Sequence, residues 1–449
     1  MSTLAAEAEP VVRPRPEHPI SRSRISENTL KVLYRLHKTG YKAYLCGGGV
    51  RDLLLGRQPK DFDVVTDARP EQIRRVFRNS RVIGRRFRLV HIFFGGEIVE
   101  VATFRREPDP DEQEGEEDEA LLITSDNTYG TPREDAFRRD FTVNALFYDI
   151  GDFSVIDFVG GLADLDHKTI RAIGDPDVRF QEDPVRMLRA CEFAGRLGFR
   201  IERRTQEAVH RQRKELDKAA PARLTDELIQ LLRCGSAGRA FQWLHDLGLL
   251  EVLLPEAYAM VAASERGLGD FGQVLPAVDG MIAEGRELAD TALLAALLLP
   301  SVLLRRLDVE ALDQRPMTRG ALAELVGEVV APLFQRFTLS RDRATRVERA
   351  LTAFLRLCEP GWGAAERVRF ARRPFFDDAL TLFEIMTRAT GEGAEALESW
   401  RRAAERAEKS RRGGGEEGGE EGGEAGGEER PRGGRRRRGR RGGRRRRRG

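Results

Sequence analysis

Apolar positions first recur with helical spacing at Leu30, Leu33, Tyr34 and Leu36. Ser26 stands where an N-cap would and Gly40 where a helix would close, so a helix is predicted from Ser26. Beyond it the period shortens. KAYLC reads as a strand, GGGVRDLLLG as a turn into a short helix, and DFDVVT as a second strand. PEQIRRVFRN follows as a helix with Pro70 near its first turn. RVIG, RLVHIFF and EIVEVATF supply further strands, and FTVNALFYDI and FSVIDFV close the same unit. From about Asp175 to Glu405, Leu and Ala dominate and strand-like alternation is rare, which predicts helices. The class is α+β: a small mixed-sheet head followed by an elongated all-helical region. We expect a disordered N-terminal arm over 1–25, the head over 26–172 with an acidic insert at 107–120, and a helical neck over 173–245. A helical body and C-terminal region then runs over 246–408, and a low-complexity tail over 409–449.

Composition sharpens the ends of the chain more than its middle. Of 449 residues, 33% are charged and 40% hydrophobic, enough to bury sizeable cores. ALLAALLLPSVLL, near Ala292 to Leu304, is broken by Pro300 and too short to span a bilayer. The first residues lack a charged n-region followed by an apolar h-region, so no signal peptide is expected. Cys46, Cys191, Cys234 and Cys358 are scattered, without metal-ligand spacing, which suits free thiols in a reducing cytoplasm. The six histidines are isolated and make no H-D phosphohydrolase module.

The net charge of +3 hides an asymmetry. Thirteen arginines and no acid fall in the last twenty residues. Removing those thirteen charges leaves residues 1–429 at about −10, a mildly acidic body with a basic tail. Such a tail, with Arg435, Arg436, Arg437 and Arg438 in one run, suits RNA phosphates with little sequence preference. The alternative is a merely solubilising tail.

The candidate chemistry begins in DFDVV. Period 2 would send Asp61 and Asp63 to one strand face, where like charges repel unless something neutralises them. Alone, the pair also fits a solvated edge strand. CGGGVRD precedes it: Gly47, Gly48 and Gly49 let backbone N–H groups approach a phosphate, and Arg51 is placed to help hold a triphosphate. Alone, a Gly triplet means only a tight turn. Glu100, between Val99 and Val101 on a strand read as buried, supplies a third carboxylate in need of a partner. Asp61, Asp63 and Glu100 on neighbouring strands, with the Gly turn, fit a two-Mg²⁺ site for in-line phosphoryl transfer.

In order, CGGGVRDLLLGRQPKDFDVVT, RRDFTVNAL, GGLADL and EDPVRMLRA resemble the motifs of the class II tRNA nucleotidyltransferase and bacterial poly(A) polymerase family, within the polymerase-beta-like nucleotidyltransferases. The resemblance runs from about Ser21 to Leu197 and implies a nucleotidyltransferase head and nucleotidyl transfer to RNA. It implies that Arg139 and Asp140 help hold the ribose and phosphates of the incoming nucleotide, supported by Asn144; otherwise they are a surface ion pair. Asp183 and Arg186, i,i+3 neighbours in a helix with acids in its first turn, match the N6 donor and N1 acceptor of adenine. The resemblance implies this use for the pair, rather than an ordinary surface salt bridge. Glu182 would orient Arg186, and Arg189, one turn on, would reach phosphate or backbone.

The family holds two chemistries, CCA addition to tRNA and poly(A) addition to RNA. RVIGRRFRLVHIFF resembles the segment typical of bacterial poly(A) polymerases. Its Arg85, Arg86 and Arg88 crowd basic charge into a turn beside the carboxylate strands, suited to RNA or triphosphate, or else a basic surface turn. His91 reads as structural. The expected activity is therefore template-independent adenylyl transfer from ATP to RNA 3′ ends, by a cytoplasmic monomer whose partners include RNA-decay proteins. The rivals are a CCA-adding enzyme and an RNA-binding adaptor without turnover.

Overall fold

The computed structural model describes residues 9–84, 88–106, 128–262, 267–314 and 317–413. The expected acidic insert lies wholly outside these residues, as do Arg85, Arg86 and the tail arginines from 435 to 438. Eight strands make one sheet: β1 (Val11–Arg13), β2 (Ala43–Cys46), β3 (Asp63–Thr66), β4 (Ser80–Ile83), β5 (Leu89–Phe94), β6 (Glu97–Thr103), β7 (Leu146–Asp149) and β8 (Val155–Asp157). Their order is β1-β8-β7-β2-β3-β6-β5-β4, with β3 and β6 parallel and the other neighbours antiparallel.

The helices carried by the head are short: α1 (Glu27–Lys38), α2 (Gly48–Leu54), α3 (Pro70–Val76), α4 (Pro132–Phe137) and α5 (Gly161–Asp166). Ser26 caps α1 as expected, its Oγ accepting from Thr29 N at 3.4 Å. One sheet face packs Val64, Val90, Ile92, Val99 and Val101 with Val32, Leu33 and Leu36 of α1 into the main core. On the other face Cys46, Val65, Phe104 and Phe147 pack with Ala136 of α4 in a smaller cluster. That second cover ends before β5 and β4.

The N-terminal arm corrects an expectation. Residues 9–25 are not a loose arm: Val11–Arg13 pairs along β8. Behind it, His18 bonds Phe153 O at 2.8 Å, and Ile20 and Ile25 enter the core. Proline and arginine density concealed three well-spaced anchors.

After the head come α6 (Pro176–Glu182), α7 (Val185–Leu197), α8 (Arg203–Gln212), α9 (Pro221–Arg233) and α10 (Ala237–Asp246). A two-stranded parallel ladder, β9 (Thr169–Ile170) with β10 (Arg200–Ile201), ties the start of α6 to the end of α7. Gly195 lets α7 meet α10, since a Cβ there would lie 2.7 Å from Ala240 N. Further helices follow to Gly413, and Thr225 of α9 donates to Phe337 O at 2.8 Å. No helix among the described residues is long and apolar enough to cross a membrane.

Candidate active site

β2 ends at Cys46, and the chain turns through Gly47 at φ 69° and ψ −137° before α2 begins. A side chain is excluded there twice. The φ is one that L residues rarely adopt, and a Cβ would meet Arg139 Nη1 at 3.2 Å. Gly48 and Gly49 open α2, whose first N–H groups have no partner within the helix and carry its positive end. They face a cavity of about 680 Å³ that is also lined by Asp61, Asp63, Arg139, Asp140, Asp183, Arg186, Arg189, Arg223 and Glu227.

Asp63 opens β3, pairing with Cys46 on one side and with Glu100 of β6 on the other. The expected neighbouring of the carboxylate strands is therefore present. Three details differ. Asp61 lies before the strand, not within it. Glu100 is half-exposed rather than buried, and its Oε1 lies 3.3 Å from His91 Nε2 on β5. Among the described residues no three His, Cys, Asp or Glu side chains converge as a ready metal cage. The open flank beyond β6 lets Glu100 lean to His91. Asp63 reaches solvent at the cavity, yet the protein packed around it raises its pKa. Arg139 opposes this rise, and Glu100 and Asp61 add to it.

Arg139 is anchored from behind. Its Nη2 donates to Asp135 Oδ2 at 2.9 Å and to Cys46 Sγ at 3.3 Å, and its Nη1 to Asn144 O at 3.3 Å. Burial would raise the Asp135 carboxyl, but Arg139 and Arg138 hold it below its ordinary value. Burial pushes the Cys46 thiol up to about 12, so it packs as a neutral group. Arg51, 1% exposed, turns inward: Nε donates to Asp52 at 2.8 Å and Nη1 to Asn144 Oδ1. Asn144 Nδ2 then donates to Asp140 Oδ1 at 3.2 Å, and Arg189 Nε to Asp140 Oδ2 at 2.8 Å. Burial would raise Asp140 as well, yet the Arg189 guanidinium and these bonds hold it low. Arg51, Asn144, Asp140 and Arg189 thus form one chain of polar contacts from α2 to α7.

The EDPVR segment, expected to read the base, is split where a single helix was expected. Asp183, at φ −150° and ψ 89°, ends α6, and Pro184 precedes α7. A residue before proline is pushed out of the α region, so EDP breaks the helix. Arg186 Nε stands 3.9 Å from Asp183 Oδ2. The main partner of Asp183 is Arg223 of α9, whose Nη1 and Nη2 donate at 2.8 and 2.7 Å. Arg186 Nη1 donates to Glu182 Oε2 and to Arg179 O, both at 3.2 Å, so Glu182 does hold it.

Sequence reading passed over Arg223 and Glu227. Glu227 is an acid on the buried, mostly apolar side of α9, a usable signal; Arg223, one turn earlier and 46% exposed in its side chain, gives none. Glu227 is buried with no hydrogen bond to Oε1, and Arg189 Nη1 lies 3.9 Å from its Oε2. Burial lifts its pKa to about 7; Arg189 opposes the rise, and Glu192 and Asp140 add to it. Arg88 lies at the edge of β5, with Nη1 3.7 Å from Glu71 Oε1.

Residues 43–171 match the family described as Poly A polymerase head domain, and 198–260 that described as Probable RNA and SrmB- binding site of polymerase A. Poly(A) polymerase I of Salmonella typhi is 51% identical over 245 residues, 54% of this chain and 53% of that protein. The aligned part thus spans about half the length of that relative. Poly(A) polymerase I of Haemophilus influenzae is 37% identical over 385 residues, 84% of each chain. Among solved structures, the Bacillus stearothermophilus CCA-adding enzyme in complex with CTP superimposes with a TM-score of 0.59 at 25% identity, over 85% of this chain and 82% of that one. With the match to the Haemophilus protein running through head and helices alike, the chain belongs to the poly(A) polymerase family of nucleotidyltransferases.

Proposed function

We propose that this protein adds AMP from ATP to RNA 3′ ends without a template. One observation carries the reading: a single cavity joins the Gly47 turn and the Asp61 and Asp63 carboxylates to Asp183 and Arg186. The reacting phosphate and the selected base can therefore occupy one pocket. The names of the Salmonella and Haemophilus relatives support RNA polyadenylation. The likeness to a CCA-adding enzyme keeps that activity as the second reading.

In the proposed reaction the RNA 3′-hydroxyl attacks the α-phosphorus of ATP and pyrophosphate leaves. Backbone N–H groups at Gly48 and Gly49 face the triphosphate, with the positive end of α2 behind them. Asp140 and Asn144, fixed by Arg189 and Arg51, bound the ribose side. Asp183 accepts from the adenine N6 amino group and Arg186 donates to N1. Arg223 occupies Asp183 through two of its lone-pair sites, and a carboxylate retains others for the base. Asp61 and Asp63 fit Mg²⁺: their oxygens are hard donors, and Asp61 adds to the unfavourable charge of Asp63. Glu100 would join them by leaving His91. Bound magnesium would supply charge neutralisation and a lowered pKa for the attacking hydroxyl.

Arg85, Arg86, Arg88 and the tail arginines are proposed to hold RNA phosphates. The proposed setting is the cytoplasm, as a monomer, with RNA-decay proteins as partners. Four cysteines without disulfides among the described residues accord with a reducing compartment. The test is incorporation of radiolabelled ATP into a generic RNA. Wild type should extend it, and Asp61→Ala with Asp63→Ala should abolish extension while sparing RNA retention at low salt. Extension by the double variant would contradict the reading.

A further inference from the structure

The residues opposite one another across the sheet form a continuous row. Cys46 pairs with Asp63, Asp63 with Glu100, Glu100 with His91, and His91 with Arg81. Directly opposed residues share a face, and the His91–Glu100 contact at 3.3 Å shows that these do. The next row on that face pairs Phe93 with Ile98. Phe93 sits edge-on to His91, ring centroids 6.4 Å apart.

Over β2 and β7 this face is roofed by α4 and the small second core. Over β5 and β6 it is open: Phe93 is 42% exposed and Ile98 50%. An exposed aromatic beside an exposed branched aliphatic on a sheet is costly to leave bare and suits a flat ligand. Its distance from the reaction defines the ligand. Glu100 and His91 lie on adjacent strands, about 4.8 Å apart, and Phe93 is two residues along, about 6.6 Å. Phe93 is therefore about 8 Å from Glu100 and about 12 Å from Asp63, one to two nucleotides from the carboxylates. Arg81, exposed at the far end of the row, supplies the charge a phosphodiester requires.

We infer that the open face of β5 and β6 is the seat of the acceptor strand, with the 3′-terminal base of single-stranded RNA on Phe93 and Ile98 and its phosphate toward Arg81. The inference rests on the nucleotidyl-transfer reading above and adds to it where the acceptor, rather than the ATP, is held.

The test pairs kinetics with a binding signal that needs no turnover. With an oligoadenylate acceptor, Phe93→Ala should raise the KM for RNA roughly 5- to 150-fold, the range of one lost base–aromatic stack. The KM for ATP should stay unchanged, and Phe93→Trp should restore the RNA KM. An RNA ending in 2-aminopurine should be quenched by wild type and by Phe93→Trp, and not by Phe93→Ala. Thermal melting checks that each variant is folded. An unchanged RNA KM in a folded, active Phe93→Ala overturns the inference and leaves the activity standing. If wild type extends no RNA, the functional reading fails; equal quenching by wild type and Phe93→Ala would then overturn the platform as well.

Discussion

Arg223 grips Asp183 with two hydrogen bonds, 2.8 and 2.7 Å long, across the gap between α9 and the α6–α7 break. The fork fixes the plane of a carboxylate that Arg186, at 3.9 Å, holds only loosely. Arg223→Ala should let Asp183 swing toward Arg186 and blur the pattern offered to adenine. The expected result is a loss of ATP-over-CTP preference of about tenfold, read as the ratio of kcat/KM values. Arg223→Lys keeps the charge without the fork and should fall between.

Gly47→Ala tests the turn. The substitution forces an L residue into φ 69° and brings a methyl within 3.2 Å of Arg139 Nη1. The backbone strain is of order 1–3 kcal/mol, so melting should drop by a few degrees. Transfer should fall more than stability, by about tenfold or more, because Arg139 must shift. Wild-type rates with Ala at 47 would show that the turn is only a connector.

Glu227 gives a dependence on pH. Its folded-state pKa is raised from 4.5 to about 7, so ionising it disfavours the folded state. The penalty is absent below 4.5, grows as pH rises to about 7 and is complete above that. Glu227→Gln cannot ionise and should escape it. Its melting temperature relative to wild type should therefore rise between pH 5 and 8. A difference that is constant across that range would contradict the assignment.

Asp140 runs the other way. Its folded pKa is lowered, so it contributes stability above the ordinary carboxylate range and loses it as pH falls through the lowered value. Asp140→Ala leaves Arg189 near Glu227 without its main partner. A loss of about 3–5 kcal/mol at pH 7, shrinking in acid, is the expected denaturation result.

Much of the head could be read from residues because local rules agree there. Ser26 caps, the Gly triplet turns, and short apolar runs bounded by turn residues mark β2, β3 and β6 as strands. The pairing of Asp63 with Glu100 followed from placing two carboxylate strands side by side. The misreadings came where tertiary contacts decide. Glu100 looked buried between two valines, but the face of β6 that carries Glu100 and Ile98 is exposed at both residues. Pro184 should have broken the helix in advance; the run of charged and apolar residues around it hid the break. Arg223 reaches Asp183 from forty residues away, and no local spacing announces such a partner.

The most direct test offers the purified protein a generic RNA and a tRNA lacking its CCA end, with each nucleoside triphosphate alone and with CTP and ATP together. Long adenylate tails on the generic RNA from ATP alone are the expected result. Short C-C-A products confined to tRNA, or no incorporation on any substrate, would contradict the account.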